Sequence, residues 1–169
     1  MAATQQDGLS SNLEDYLETI FRLERESRVA RAKDIAERLE VSRASVTGAL
    51  KTLAEKGLIN YEPYSYVTLT PKGKEIAAEV DRRHHILKGF FAGFLRLGPE
   101  ASEANACRVE HVMDEEAIER LVNFLDFLKS CPRTGPDWLE AFDSYCMGKA
   151  SPERCRKCLA DCLERGTSS

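Results

Sequence analysis

The chain has 169 residues, 43% apolar and 31% charged, with a formal net charge of −4. That length holds one ordinary domain or two small ones, and the composition excludes a disordered or membrane-embedded chain. The acidic balance excludes blanket attraction to nucleic acid but leaves room for one local basic face.

No segment approaches membrane-spanning length, and "MAATQQDGLSSNLEDY" has no apolar run of the signal-peptide kind. A cytoplasmic protein is expected. All six cysteines lie after position 106. In a reducing compartment they are expected as metal ligands or buried thiols before disulfides.

The predicted elements are mostly helical. After the capping residues Ser10, Ser11 and Asn12, "LEDYLETIFRLERES" places Leu13, Tyr16, Leu17, Ile20, Phe21 and Leu23 on one helical face. "RAKDIAERLE" is a second, short helix with Ile35, Ala36 and Leu39 inward. "VSRASVTGALKTLAEKGL" is a third, capped by Ser42, with Val46, Leu50 and Leu53 as its apolar stripe and Gly57 as its stop. "LINYEPYSYVTLTPKG" then changes period, as a compact hairpin does. From Pro71, a natural first residue of a helix, "KGKEIAAEVDRRHHILKGFFAGFLRL" predicts one long helix whose apolar second half needs a partner. One or two further helices are expected in "ACRVEHVMDEEAIERLVNFLDFLKS", and a cysteine-rich tail begins at Cys131-Pro132.

Helix, tight turn, helix and hairpin, in that order, predict a winged helix-turn-helix. The fold class is therefore mainly α, with three N-terminal helices and a short β-hairpin followed by a helical domain. The expected division is 1–73 for DNA binding, 74–130 for metal binding and dimerisation, and 131–169 for the tail. On the third helix Ser42, Arg43, Ser45, Thr47 and Lys51 face outward. Small hydroxyls permit close approach to a major groove, and the two cations reach phosphates or a guanine edge.

Several donor residues have metal-ligand spacing. Asp15 and Glu18 are i, i+3 on the first helix, and His84 lies midway along the long helix. If "ACRVEHVM" is helical, Cys107, Glu110 and His111 share one face. Each has an ordinary structural explanation alone. Together, carboxylate, imidazole and thiolate donors suit Fe(II) or Mn(II) and not magnesium or calcium. No HExxH motif or nucleophile–base pair points to an enzyme.

"LEDYLETIFRLE", "DIAERLEVSRASVTGALKTLAEKGLI", "LTPKGKEIA", "RRHHIL" and "ACRVEHVMDEEAIERL" together resemble the diphtheria-toxin-repressor family of metal-dependent transcriptional repressors. The resemblance runs from about Ser11 to Leu128. It implies a homodimer that binds double-stranded operator DNA when Fe(II) or Mn(II) is abundant and represses metal-uptake genes, with no membrane or organic substrate as partner. It places ligands at Asp15, His84, Cys107, Glu110 and His111, and Glu18 matches a ligand of the manganese-sensing branch. A metal with these ligands is expected to tie the DNA-reading unit to the dimer core. Lys88 stands where the family commonly has a ligating Glu, and Glu103, a candidate for a second site, where the iron branch has a His. A cation at Lys88 opposes a neighbouring metal unless its side chain points away. The iron branch's SH3-like domain has no counterpart in this sequence.

The tail departs from that family core. Cys155, Cys158 and Cys162 share a helical face by spacing, and Cys131 or Cys146 can close a four-thiolate set. Such a set suits Zn(II) or an iron–sulfur cluster. It carries an alternative function: a DNA-binding regulator responding to redox or iron–sulfur status through the tail.

Overall fold

The computed structural model describes residues 9–27, 29–62, 65–130 and 136–149, together with Glu153 and Arg156. The elements run α1 (Ser11–Ser27), α2 (Ala32–Arg38), α3 (Arg43–Glu55), β1 (Ile59–Asn60), β2 (Thr68–Leu69), α4 (Pro71–Gly89), a π-helical turn (Phe90–Phe94), α5 (Pro99–Val109), α6 (Glu115–Ser130) and α7 (Pro136–Cys146). They pack as two compact units, Met1–Arg83 and His84–Ser169, so the division falls within α4. No helix of the described residues is long and apolar enough to cross a membrane.

The N-terminal unit is a winged helix-turn-helix. Tyr16, Leu17, Ile20 and Leu23 of α1, Ile35 of α2, and Val46, Leu50 and Leu53 of α3 are buried in one cluster. Leu13, Phe21 and Leu39 pack against it from its edge. The caps expected at both ends of α3 are present. Ser42 Oγ accepts from the Ser45 amide at 3.1 Å. At the other end of α3, Gly57 has φ +68, its amide bonds Ala54 O at 2.9 Å and the Leu58 amide bonds Leu53 O at 3.0 Å. Those two bonds are the paired closure of a left-handed helix stop. The turn between α2 and α3 makes the same closure without glycine: Glu40 has φ +54, and the Val41 amide bonds Ala36 O at 3.1 Å.

β1 and β2 are antiparallel, pairing Ile59 with Leu69 and Asn60 with Thr68. Two features not apparent from the hairpin pattern extend this small sheet. Val67 bridges to Ala30, ahead of α2, and Glu24 of α1 accepts the Leu69 amide at 2.9 Å. Thr70 then locks the hairpin base. Its hydroxyl donates to Gly57 O at 2.8 Å and accepts from the Gly73 amide at 3.2 Å, where α4 begins. Gly73 must be glycine, because a Cβ there would lie 1.9 Å from Leu58 O. Ala77 and Ile76 in the first turns of α4 belong to this same core.

The predicted single helix from Pro71 through Leu97 is corrected by the structure. It stops as an α-helix at Gly89 and continues as a π turn through "FFAGF", with the Leu95 amide reaching Phe90 O at 3.1 Å. Gly89 and Gly93 weaken helical propagation there, and the wider turn accommodates three neighbouring phenylalanines, Phe90 stacking on Phe94 with ring centroids 6.5 Å apart. In the C-terminal unit Leu87, Ala106 and Ile118 form the buried centre, with Ile86, Phe91, Val109, Met113 and Leu121 around them. Asp114 begins α6 by accepting the Ala117 amide at 2.7 Å.

Candidate functional site

Two elements of the C-terminal unit bring the predicted donors together. α4 delivers His84, which is 2% exposed, and the end of α5 delivers Cys107 and Glu110, the latter 1% exposed. Of the one or two helices expected here, two form, and "ACRVEHVM" is helical only in its first part. α5 ends at Val109 with Glu110 as its cap, and the chain turns away to free Asp114 for the start of α6. Glu110 keeps helical dihedrals (φ −58, ψ −30), so Cys107 and Glu110 still share a face, whereas His111 belongs to the turn.

The geometry is close-knit. His84 Nδ1 lies 2.7 Å from Glu110 Oε2 and 3.8 Å from Cys107 Sγ. One donor atom from each of the three lies within 4.8 Å of the others. His111 Nε2 approaches the remaining carboxylate oxygen, Glu110 Oε1, at 3.3 Å. That oxygen is buried and, among the described residues, has no hydrogen bond. A buried carboxylate oxygen without a donor is costly.

A first-row divalent ion fits this arrangement. An imidazole nitrogen, a thiol sulfur and a carboxylate oxygen are the mixed donor set such an ion takes, and here they lie within 4.8 Å of one another around a buried oxygen that has no hydrogen bond among the described residues.

On the opposite edge of the imidazole, His84 Nε2 faces Glu103 Oε1 at 3.2 Å, and Glu103 Oε2 pairs with Lys88 Nζ at 2.7 Å. The Lys88 hydrogen bond holds the Glu103 carboxyl below the usual carboxylate range, against the opposing effect of burial. Lys88 therefore serves Glu103.

In the N-terminal unit, Asp15 is half-buried beside the buried Tyr16, whose phenol is pushed up by burial and then by the Asp15 charge. Glu18 is buried and accepts from Arg22 at 2.7 Å, and Arg22 also reaches the buried Asp81 at 2.9 Å.

The same unit carries an open groove of about 840 Å³ lined by Arg31, Lys33, Arg43, Thr47, Lys51, Tyr61, Ser65 and Tyr66, with Ala32. Among the described residues four cations and no carboxylate line it, a local positive face on an acidic chain. Ser42, Arg43, Ser45 and Lys51 are exposed as expected. Thr47 is half-buried and its hydroxyl donates back to Arg43 O at 2.9 Å. Helical periodicity gives no hint of Arg31 or Tyr66. They meet only because Ala30 bridges Val67, which sets the Arg31 guanidinium 5.1 Å from the Tyr66 ring centroid and 3.1 Å from its hydroxyl.

Of the tail cysteines, Cys131, Cys155, Cys158 and Cys162 lie outside the described residues. Cys146 is exposed at the end of α7 and joins no cluster of three or more donors among the described residues.

Known proteins place this architecture. Residues 8–67 match the family model for the N-terminal DNA-binding domain of iron-dependent repressors, and residues 70–139 that for their metal-binding and dimerisation domain. An uncharacterised HTH-type transcriptional regulator of Methanocaldococcus jannaschii is 36% identical over 72% of this chain and 98% of its own length. The diphtheria toxin repressor of Corynebacterium glutamicum is 34% identical over 76% of this chain, which spans 56% of that longer protein. The solved structure of the manganese regulator SloR superposes with a TM-score of 0.63 at 30% identity, covering 74% of this chain and 58% of that one. These matches give no support to a regulator working through an iron–sulfur cluster, and the family models end at residue 139.

Proposed function

The chain belongs to the iron-dependent repressor family of metal-dependent transcriptional regulators, and from that premise we propose that it is a homodimeric repressor whose binding to double-stranded operator DNA is switched on by Fe(II). The observation that carries this reading is the His84–Cys107–Glu110 donor cluster with its unbonded, buried Glu110 oxygen. His111 is the fourth proposed donor. Asp15 and Glu18 are added from the sequence motif alone. The Cys107 sulfur favours Fe(II), since a thiolate binds it more strongly than Mn(II).

When bound, the ion supplies a fixed double positive charge to these donors. The residues do the rest. His84, Cys107, Glu110 and His111 would hold the ion, and an ion held by His84 and Cys107 would join α4 to α5. In the other unit, the basic groove and the exposed face of α3 meet the phosphates and base edges of a major groove. Phe124 and Phe127 of α6 are half-exposed, as are Leu95 and Leu97 beyond the π turn, and these supply the surface for a second copy. A dimer holding two recognition helices about 34 Å apart spans one turn of DNA. A cytoplasmic location and control of metal-uptake genes accord with this reading.

The test is anaerobic DNA binding by the full chain, using duplexes selected from a random library in Fe(II). Affinity should rise at least about tenfold with Fe(II), less with Mn(II), and the rise should vanish in Cys107→Ala. Equal affinity with and without metal would refute the switch.

A further inference from the structure

His84 is flanked by carboxylates on both ring nitrogens, Glu110 at Nδ1 and Glu103 at Nε2. An imidazole so placed offers two candidate cation positions, and the structure treats them differently. On the Nδ1 side stand a thiol and a buried carboxylate oxygen without a hydrogen bond. On the Nε2 side a cation is already built in, because the Lys88 ammonium holds Glu103 Oε2 at 2.7 Å. Resting on the metal-dependent reading above, we propose that Lys88 is the resident cation of the Nε2 side, and that the Lys88–Glu103 pair positions His84 to give Nδ1 to a single divalent ion per chain.

The chemistry runs through hydrogen-bond directionality. Glu103, held as a carboxylate by Lys88, can only accept, so the Nε2 proton is donated to it. With Nε2 committed to Glu103, Nδ1 is the ring nitrogen left for an ion held with Cys107 and Glu110. A ligating histidine whose second nitrogen donates to a carboxylate is fixed in tautomer and ring orientation, and losing that partner typically costs about 10–100-fold in metal affinity. A second divalent ion at Nε2 would need Glu103 to leave Lys88 and would sit against its ammonium. The pair thus orients one site and closes the other. Glu103 and Lys88 are positioning residues, since both act on His84 from its Nε2 edge.

The experiment is anaerobic titration of the full chain with Mn(II), counting free ion by electron paramagnetic resonance, and with Co(II), reading the thiolate-to-cobalt charge-transfer absorption. Parent protein should bind one ion per chain with a thiolate band. Lys88→Glu should bind a second ion while keeping that band. Glu103→Gln should keep one ion at about 10–100-fold weaker affinity, and Lys88→Met should weaken it less. Circular dichroism identifies any variant that fails to fold, and the remaining variant then decides. Two ions in the parent, or one ion at unchanged affinity in both Lys88→Glu and Glu103→Gln, would overturn the positioning pair while leaving the metal-dependent reading intact. No ion in the parent would overturn both.

Discussion

Glu40 and Gly73 show how much a single position decides in this chain. Glu40 holds φ +54 in the turn between α2 and α3, where an exposed side chain gains nothing from the conformation. Glu40→Gly should therefore stabilise the N-terminal unit by about 0.5–1 kcal/mol, read as a raised denaturant midpoint at unchanged slope. Gly73→Ala should do the reverse. Its Cβ would meet Leu58 O at 1.9 Å, backbone against backbone, and about 2–4 kcal/mol should be lost. The first residue type offered no warning in the sequence, because a glutamate at a left-handed position looks like any surface acid. Gly57 was legible as a helix stop because glycine is the usual residue there. The close approach at Gly73 was not, since it joins two segments about fifteen residues apart. The donors divide the same way. Spacing and chemistry brought out Cys107, Glu110 and His84, but only the folded chain shows that Glu103 and Lys88 form one run of contacts with His84.

At the scale of elements, α3 and the hairpin line one basic groove, the proposed DNA-reading surface. Arg43 lines the groove with Lys51, Arg31 and Lys33. Arg43→Ala should weaken DNA binding and, if its contact is to a phosphate, reduce the slope of log affinity against log salt by about one. Arg31→Ala should do likewise and also loosen the hairpin through Tyr66. Helix order, caps and the antiparallel hairpin were all readable from periodicity and turn residues. The bridge from Ala30 to Val67 was not, because two isolated residues carry no period. Nor was the end of α5 at Val109: the apolar pattern runs on, while the competing start of α6 at Asp114 draws the chain out of the helix. α4 carries its own acid-sensitive tie. Glu79 accepts from Arg82 and Arg83, and these hydrogen bonds, Arg82 first, hold its carboxyl below the usual range. A depressed carboxylate stabilises the fold above its unfolded pKa, and that contribution is lost as pH falls through its folded value. Glu79→Gln should cost about 0.3–0.5 kcal/mol at neutral pH, and the difference from the parent should shrink in acid unfolding series as pH falls below the usual carboxylate range.

For the whole molecule, metal is expected to act on stability and on DNA binding by the same linkage. Mn(II) or Fe(II) at about 100 times its dissociation constant should stabilise the chain by about 2.7 kcal/mol, and a chelator should remove that increment together with operator affinity. A thermal shift without a change in DNA binding would separate a structural metal from a regulatory one. Assembly makes its own demand. Phe127→Glu, at a side chain 57% exposed on α6, should shift sedimentation from dimer to monomer and weaken DNA binding with metal uptake per chain unchanged.

The π turn at Phe90–Phe94 can also be regarded as a matter of chain length. A π turn holds one residue more than an α turn, so deleting Ala92 should let the segment close as an ordinary helix and rotate α5 about the helix axis by about 100°. Neither Gly89 nor Gly93 is required by space, as a Cβ at either position meets nothing within 4 Å. At both positions glycine therefore acts on the segment through backbone freedom alone. Alanines at both glycines should stiffen it by about 1 kcal/mol per site without a single new contact.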